Sequence, residues 1–102
     1  MSIDYTPDAQ LDILEAVDSL LNDLGPAVAR AFRHRLHQTL TALEALPHCG
    51  SPVDPPYPNF PGMRVRPVTR FRARLVFYQP TPTGILVVRV LYAARDLDAI
   101  FG

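Results

Sequence analysis

Seven arginines, Arg64, Arg66, Arg70, Arg72, Arg74, Arg89 and Arg95, fall between Met63 and Arg95 without one acidic residue among them. Guanidinium groups hold carboxylates and phosphates through paired N–H donors, so such a stretch suits an acidic polypeptide or a phosphate backbone. Arg72 and Arg74 alternate with Phe71, Ala73 and Leu75, which puts both on one face of an extended strand. Arg64 and Arg66 do the same one strand earlier. The competing reading is a solvated sheet face whose charges resist edge-to-edge aggregation. Arg89 stands alone in the apolar run from Ile85 to Leu91. An unpaired charge is costly there, so it either meets a buried acid, with Asp96 as the candidate, or lines a binding groove.

Other reactive side chains are sparse. All ten basic residues are arginine and none is lysine, and a guanidinium does not exchange protons near neutral pH. His34 and His37 lie three apart but on the outward stripe of a helix, and His48-Cys49 lacks the paired cysteines of a zinc site. We therefore expect no metal, no cofactor and no catalytic residue. Tyr78 and Tyr92 are the remaining polar aromatics in the strands, suited to core or groove packing, to contact with RNA bases, or to proton donation in a nuclease. The candidate partner-binding set is Arg64, Arg66, Arg72, Arg74, Tyr78, Arg89, Tyr92 and Arg95.

The elements that must carry these residues are legible in outline. The chain has 102 residues, 48% hydrophobic and 20% charged, a globular balance that suits one domain over residues 1–102. Net charge is zero, yet residues 1–24 hold six acids and no base. Residues 2–5 alternate like a short edge strand. Thr6-Pro7 reads as N-cap and first helical residue. Ala9, Ile13, Ala16, Val17, Leu20 and Leu24 then form an apolar stripe opposite Asp8, Asp12, Glu15, Ser19 and Asn22, ending at Gly25. Pro26 opens a second helix with Val28, Phe32, Leu36, Leu40 and Leu43 inward, closed by Pro47. So short a joint forces an antiparallel hairpin. Residues 47–62 carry six prolines and read as an extended surface connection without regular structure. The period then changes from about 3.6 to 2, giving strands over 63–68, 71–79 and 85–93, with 80–84 as a hairpin link. The third strand is apolar on both faces and should lie inside the sheet. Residues 95–101 suit a short closing helix. Helices in one block and strands in another give an α+β fold, a helical hairpin packed on one face of a small antiparallel sheet.

That order, together with particular residues, resembles the RelE/ParE toxin superfamily of type II toxin–antitoxin systems. Tyr5-Thr6-Pro7-Asp8-Ala9, Gly62-Met63-Arg64, Phe71-Arg72 through Val76-Phe77-Tyr78, and Arg89-Val90-Leu91-Tyr92 followed by Arg95-Asp96 all fit its pattern. Long helices and the closing signature place the chain nearer the ParE, or plasmid-stabilisation, branch than the RelE branch. Tyr92 stands where many relatives carry His. The resemblance implies a toxin that inhibits DNA gyrase by binding it and is neutralised by a cognate antitoxin, alone as a homodimer or in a hetero-oligomer with that antitoxin. The alternative is a RelE-like endoribonuclease acting on ribosome-bound mRNA, and a third reading is an inert relative that only binds its antitoxin. No positive-then-apolar leader and no bilayer-length apolar run are present, and Cys49 has no partner within the chain, so we expect a cytoplasmic protein without membrane contact.

Overall fold

The computed structural model describes residues 1–102. Strand β1 (Ser2–Tyr5) leads directly into helix α1 (Pro7–Leu24). Thr6 caps that helix: its hydroxyl accepts from the Ala9 N–H at 3.0 Å and donates to the Val88 carbonyl at 2.7 Å. One side chain thus starts the helix and ties it to the sheet. Gly25, at φ 94°, occupies the left-handed region that glycine tolerates, and helix α2 (Pro26–Ala45) runs back alongside α1. Both helices follow the expected boundaries.

Five strands form one sheet in the order β1-β5-β4-β3-β2, with β2 (Ser51–Pro52), β3 (Arg64–Val68), β4 (Phe71–Thr81) and β5 (Gly84–Tyr92). Helix α3 (Leu97–Phe101) closes the chain. The fold class is the expected one, with two refinements. The sheet is mixed, because β1 pairs parallel to β5. The proline-rich connection also contributes the two-residue strand β2. β5 has neighbours on both sides, as its apolar character requires.

A bulge in β5 controls which side chains face the hairpin. Arg89 opposes Phe77, and Val87 opposes Tyr78, leaving Val88 as an extra residue. Ile85 and Val87 therefore point at the helices before the bulge and Val90 after it, whereas Val88 and Leu91 join the opposite face. The hairpin-side core gathers Ala9, Ala16, Phe32, Leu36, Leu40 and Leu43 against Val68, Val76 and Tyr78. Phe32 is fully buried and meets Phe71 edge-on at 5.3 Å.

The other face of the sheet is also covered. Met63, Phe77, Val88, Leu91 and Phe101 form a second cluster, flanked by Val53, Tyr57 and Phe60 of the proline-rich segment and Leu97 and Ile100 of α3. Phe101 lies 5.1 to 5.4 Å from the rings of Phe77, Phe60 and Tyr57. The Tyr57 hydroxyl donates to Asp98 Oδ1 at 2.7 Å. The segment over 47–62 is thus a packed cover, because its apolar residues have a hydrophobic face to bury.

Candidate partner-binding site

Each residue of the expected binding set has a definite place, and they do not form one patch. Arg64 sits at the start of β3, opposite Tyr78. Its guanidinium donates to the carbonyls of His48 at 3.1 Å and Gly50 at 2.7 Å. Arg66 is exposed and reaches the Cys49 carbonyl at 3.5 Å. Tyr78 is completely buried; its hydroxyl accepts from the Gly50 N–H at 2.9 Å and donates to the Pro47 carbonyl at 2.8 Å. The phenol comes close to the Gly50 backbone, so a β-carbon there would meet its ring at 2.8 Å. Burial pushes the Tyr78 pKa above its ordinary value, opposed in part by the Gly50 hydrogen bond and the nearby arginine charges. Arg64 and Tyr78 together pin residues 47–50, and Tyr78 offers no surface to a partner.

Arg89 is half-buried and paired. Its Nε donates to Asp12 Oδ2 at 2.7 Å and its Nη2 to Asp12 Oδ1 at 2.9 Å, while the Val90 N–H donates to the same carboxylate at 3.0 Å. Hydrogen bonding to Asp12 raises the Arg89 pKa, with desolvation acting the other way. The acid is therefore Asp12 of α1 and not Asp96, whose carboxylate caps α3 by accepting from Asp98 and Ala99. Asp12 was expected on the solvent stripe of α1 but is buried. β1 ends opposite Val87, so the Val90 amide has no strand beside it, and Asp12 supplies the missing acceptor.

The remaining candidates gather at the far end of the β3–β4 ladder. Pro67 opposes Leu75 and Val68 opposes Phe71, which leaves Arg72, Ala73 and Arg74 of β4 unmatched by β3. Arg72 is exposed, and the Arg74 guanidinium lies over the Tyr92 ring at 5.0 Å. Arg74, Tyr92 and Arg95 share a hollow of about 170 Å³ with Glu15 and Ser19 of α1. Arg70 completes this basic tip. It holds φ 68° in the two-residue turn between β3 and β4, a conformation that normally favours glycine. The turn is anchored from α2: the Thr39 hydroxyl accepts from the Thr69 N–H at 3.0 Å and donates to the Arg35 carbonyl at 2.8 Å. Sequence reasoning left Arg70 and Thr39 out. Val68-Thr69-Arg70-Phe71 carries no Gly, Asn or Asp to signal a tight turn, and Thr39 lies between two expected core positions.

Four arginines with a half-exposed tyrosine beside a fixed turn can receive carboxylates or phosphates, and Tyr92, 50% exposed, can pack on an apolar or planar group. His34 and His37 project from the exposed side of α2, away from this tip.

Comparison with known proteins assigns the family. The sequence profile described as ParE toxin of type II toxin-antitoxin system, parDE, matches residues 3–97. The chain belongs to the ParE toxin family. A solved structure described as the chromosomal ParDE TA system from P. aeruginosa superposes with a TM-score of 0.71 at 18% identity. That likeness covers 90% of this chain and 95% of the other, and shows a shared fold. No curated protein sequence matches the chain. No helix of this ParE toxin is long and apolar enough to cross a membrane.

Proposed function

We propose that residues 1–102 act as one toxin domain in the cytoplasm, inhibiting DNA gyrase by binding it and silenced by a cognate antitoxin that engages the basic tip. The observation that carries this reading is the make-up of that tip: Arg70, Arg72, Arg74 and Arg95 with Tyr92, and neither lysine nor histidine beside them. Cleavage of RNA through its 2′-oxygen needs groups that move protons near neutral pH, and guanidinium groups do not. Tyr78 is locked between Gly50 and Pro47 and its pKa is raised, so it serves as neither base nor accessible acid. A surface that binds without reacting fits inhibition by occupancy. Arg64, Arg66 and Arg89 then act mainly in holding the fold, and the antitoxin places acidic residues against Arg72 and Arg74.

The deciding experiment runs two assays in parallel. Purified chain is added to a gyrase supercoiling reaction, and mRNA ends are mapped in cells expressing it. Inhibited supercoiling with intact ribosome-bound mRNA is the expected result. Codon-positioned cuts that vanish with Tyr92→Phe would replace the gyrase reading with the RelE-like one, and a folded chain active in neither assay would point to an inert relative.

A further inference from the structure

The seven arginines between Met63 and Arg95 divide by what they hold. Arg64, Arg66 and Arg89 donate to groups within the chain. Asp12–Arg89 is the one salt bridge, so Arg70, Arg72, Arg74 and Arg95 pair with no acid of their own. Arg70, Arg72 and Arg95 are exposed and Arg74 is half-buried. Arg70, Arg72 and Arg74 follow one another at two-residue steps, each step spanning at most about 7 Å of chain. That repeat is close to the spacing of successive phosphates on a nucleic-acid strand.

The hollow beside them distinguishes a nucleic acid from an acidic peptide. It sets Tyr92, Arg74 and Arg95 of the sheet end against Glu15 and Ser19 of α1. The Arg74 guanidinium covers one side of the Tyr92 ring at 5.0 Å, and with Tyr92 half exposed the ring keeps open surface for a planar group. A carboxylate entering this hollow meets the Glu15 carboxylate and is repelled. A nucleobase is not: its ring stacks on the tyrosine, and an exocyclic amino group such as cytosine N4 donates to Glu15. In a duplex the base faces are stacked on one another, so the hollow requires an unpaired strand.

We propose that the basic tip and its hollow form a site for an unpaired DNA strand. Phosphates lie on Arg70, Arg72, Arg74 and Arg95, and one base lies on Tyr92 with its amino group at Glu15. The choice of DNA over RNA rests on the gyrase reading above, because gyrase cuts and rejoins DNA and a toxin seated on it meets strands opened at the cut. Acidic residues of the antitoxin, set against Arg72 and Arg74, then keep DNA off the same arginines while the antitoxin is bound.

The test is fluorescence anisotropy of labelled oligonucleotides of about ten nucleotides with the full chain, without antitoxin or gyrase. Oligodeoxycytidine is expected to bind with a Kd between about 1 and 100 µM at low salt, and the log–log salt slope should be about −3, roughly 0.7 for each phosphate neutralised. Arg95→Gln should lower that slope by about 0.7. Tyr92→Leu should weaken binding about tenfold and leave the slope unchanged, because only stacking is lost. The wild type should prefer oligodeoxycytidine to oligodeoxythymidine, which has no amino group, by about threefold or more, and Glu15→Gln should erase that preference. An unchanged denaturation midpoint confirms that each variant is folded. No binding at about 100 µM chain overturns the proposal, as does a duplex bound as tightly as the single strand or a Tyr92→Leu variant as tight as the wild type. Oligocytidine RNA bound more tightly than its DNA counterpart overturns the choice of DNA, and a glutamate-rich peptide that displaces the oligonucleotide from the hollow at lower concentration gives the site to a protein. Supercoiling is assayed separately. Loss of oligonucleotide binding beside intact gyrase inhibition strikes this proposal alone, and DNA binding without gyrase inhibition upholds the site and strikes the gyrase reading.

Discussion

At the scale of single residues, two buried polar groups hold the sheet to its surroundings, and each makes a distinct prediction. Asp12 satisfies the Arg89 guanidinium and the Val90 amide together. Removing one partner of a buried pair typically costs about 3–5 kcal/mol, and the 20% exposure of the Arg89 side chain trims that to about 2–3 kcal/mol for Asp12→Ala. Replacing both, as Asp12→Leu/Arg89→Met, should recover only the part due to the unpaired guanidinium in urea denaturation, because the Val90 N–H still lacks its acceptor. Tyr78 predicts a pH effect. Its folded pKa lies above the value near 10 of a free phenol, so the neutral form is favoured by folding. The stabilisation is complete below about pH 10 and is lost as pH rises through the folded value. Tyr78→Phe should cost about 1–2 kcal/mol at neutral pH, by leaving the Gly50 N–H without its acceptor. It should also make the decline in stability above about pH 10 shallower than in the wild type. Equal slopes for the two proteins would show that Tyr78 ionises without penalty.

At the scale of elements, the helix ends and the three long strands were written in local chemistry, and what lay beyond local chemistry was misread. Thr6-Pro7 and Gly25-Pro26 fix the hairpin because capping and φ restriction act within a few residues. Asp12 falls in the polar stripe by spacing alone, and only its partner, 77 residues away, explains its burial. The cover formed by residues 53–62 has no period to read, since its apolar side chains answer to a sheet face and not to one another. Parallel pairing of β1 with β5 depends likewise on where α1 and α2 return the chain. The cores are testable separately. Phe32→Ala empties a site that is fully buried and should cost about 3–5 kcal/mol. Phe101→Ala should cost a comparable amount if α3 and the proline-rich segment are a true second core, with proteolysis between Val53 and Phe60 accelerated. A denaturation midpoint unmoved by Phe101→Ala would reduce α3 to a loosely attached end.

At the scale of the whole molecule, zero net charge conceals an acidic hairpin helix and a basic sheet end. Of the arginines read from sequence as one binding face, Arg64 is bonded to loop carbonyls and Arg89 to Asp12, so the charge left for a partner concentrates at Arg70, Arg72, Arg74 and Arg95. The sequence carried the number and alternation of these residues. It did not carry the register break at Pro67 and Val68, which sets Arg72–Arg74 apart from Arg64 and Arg66. Affinity and stability should therefore separate by position. Reversing Arg72 and Arg74 together to Glu should weaken the antitoxin complex at least about tenfold, because close charge pairs across an interface turn from attractive to repulsive. The salt dependence of binding should flatten with it, as fewer charges remain to be screened. Arg64→Ala should instead lower the urea midpoint, by freeing the carbonyls of His48 and Gly50, and leave antitoxin affinity within about twofold. Calorimetry of the three proteins at two salt concentrations reads both effects. If Arg72 and Arg74 prove silent while Arg64→Ala lowers affinity, the partner sits at the opposite end of the sheet and the basic tip is a solvated face.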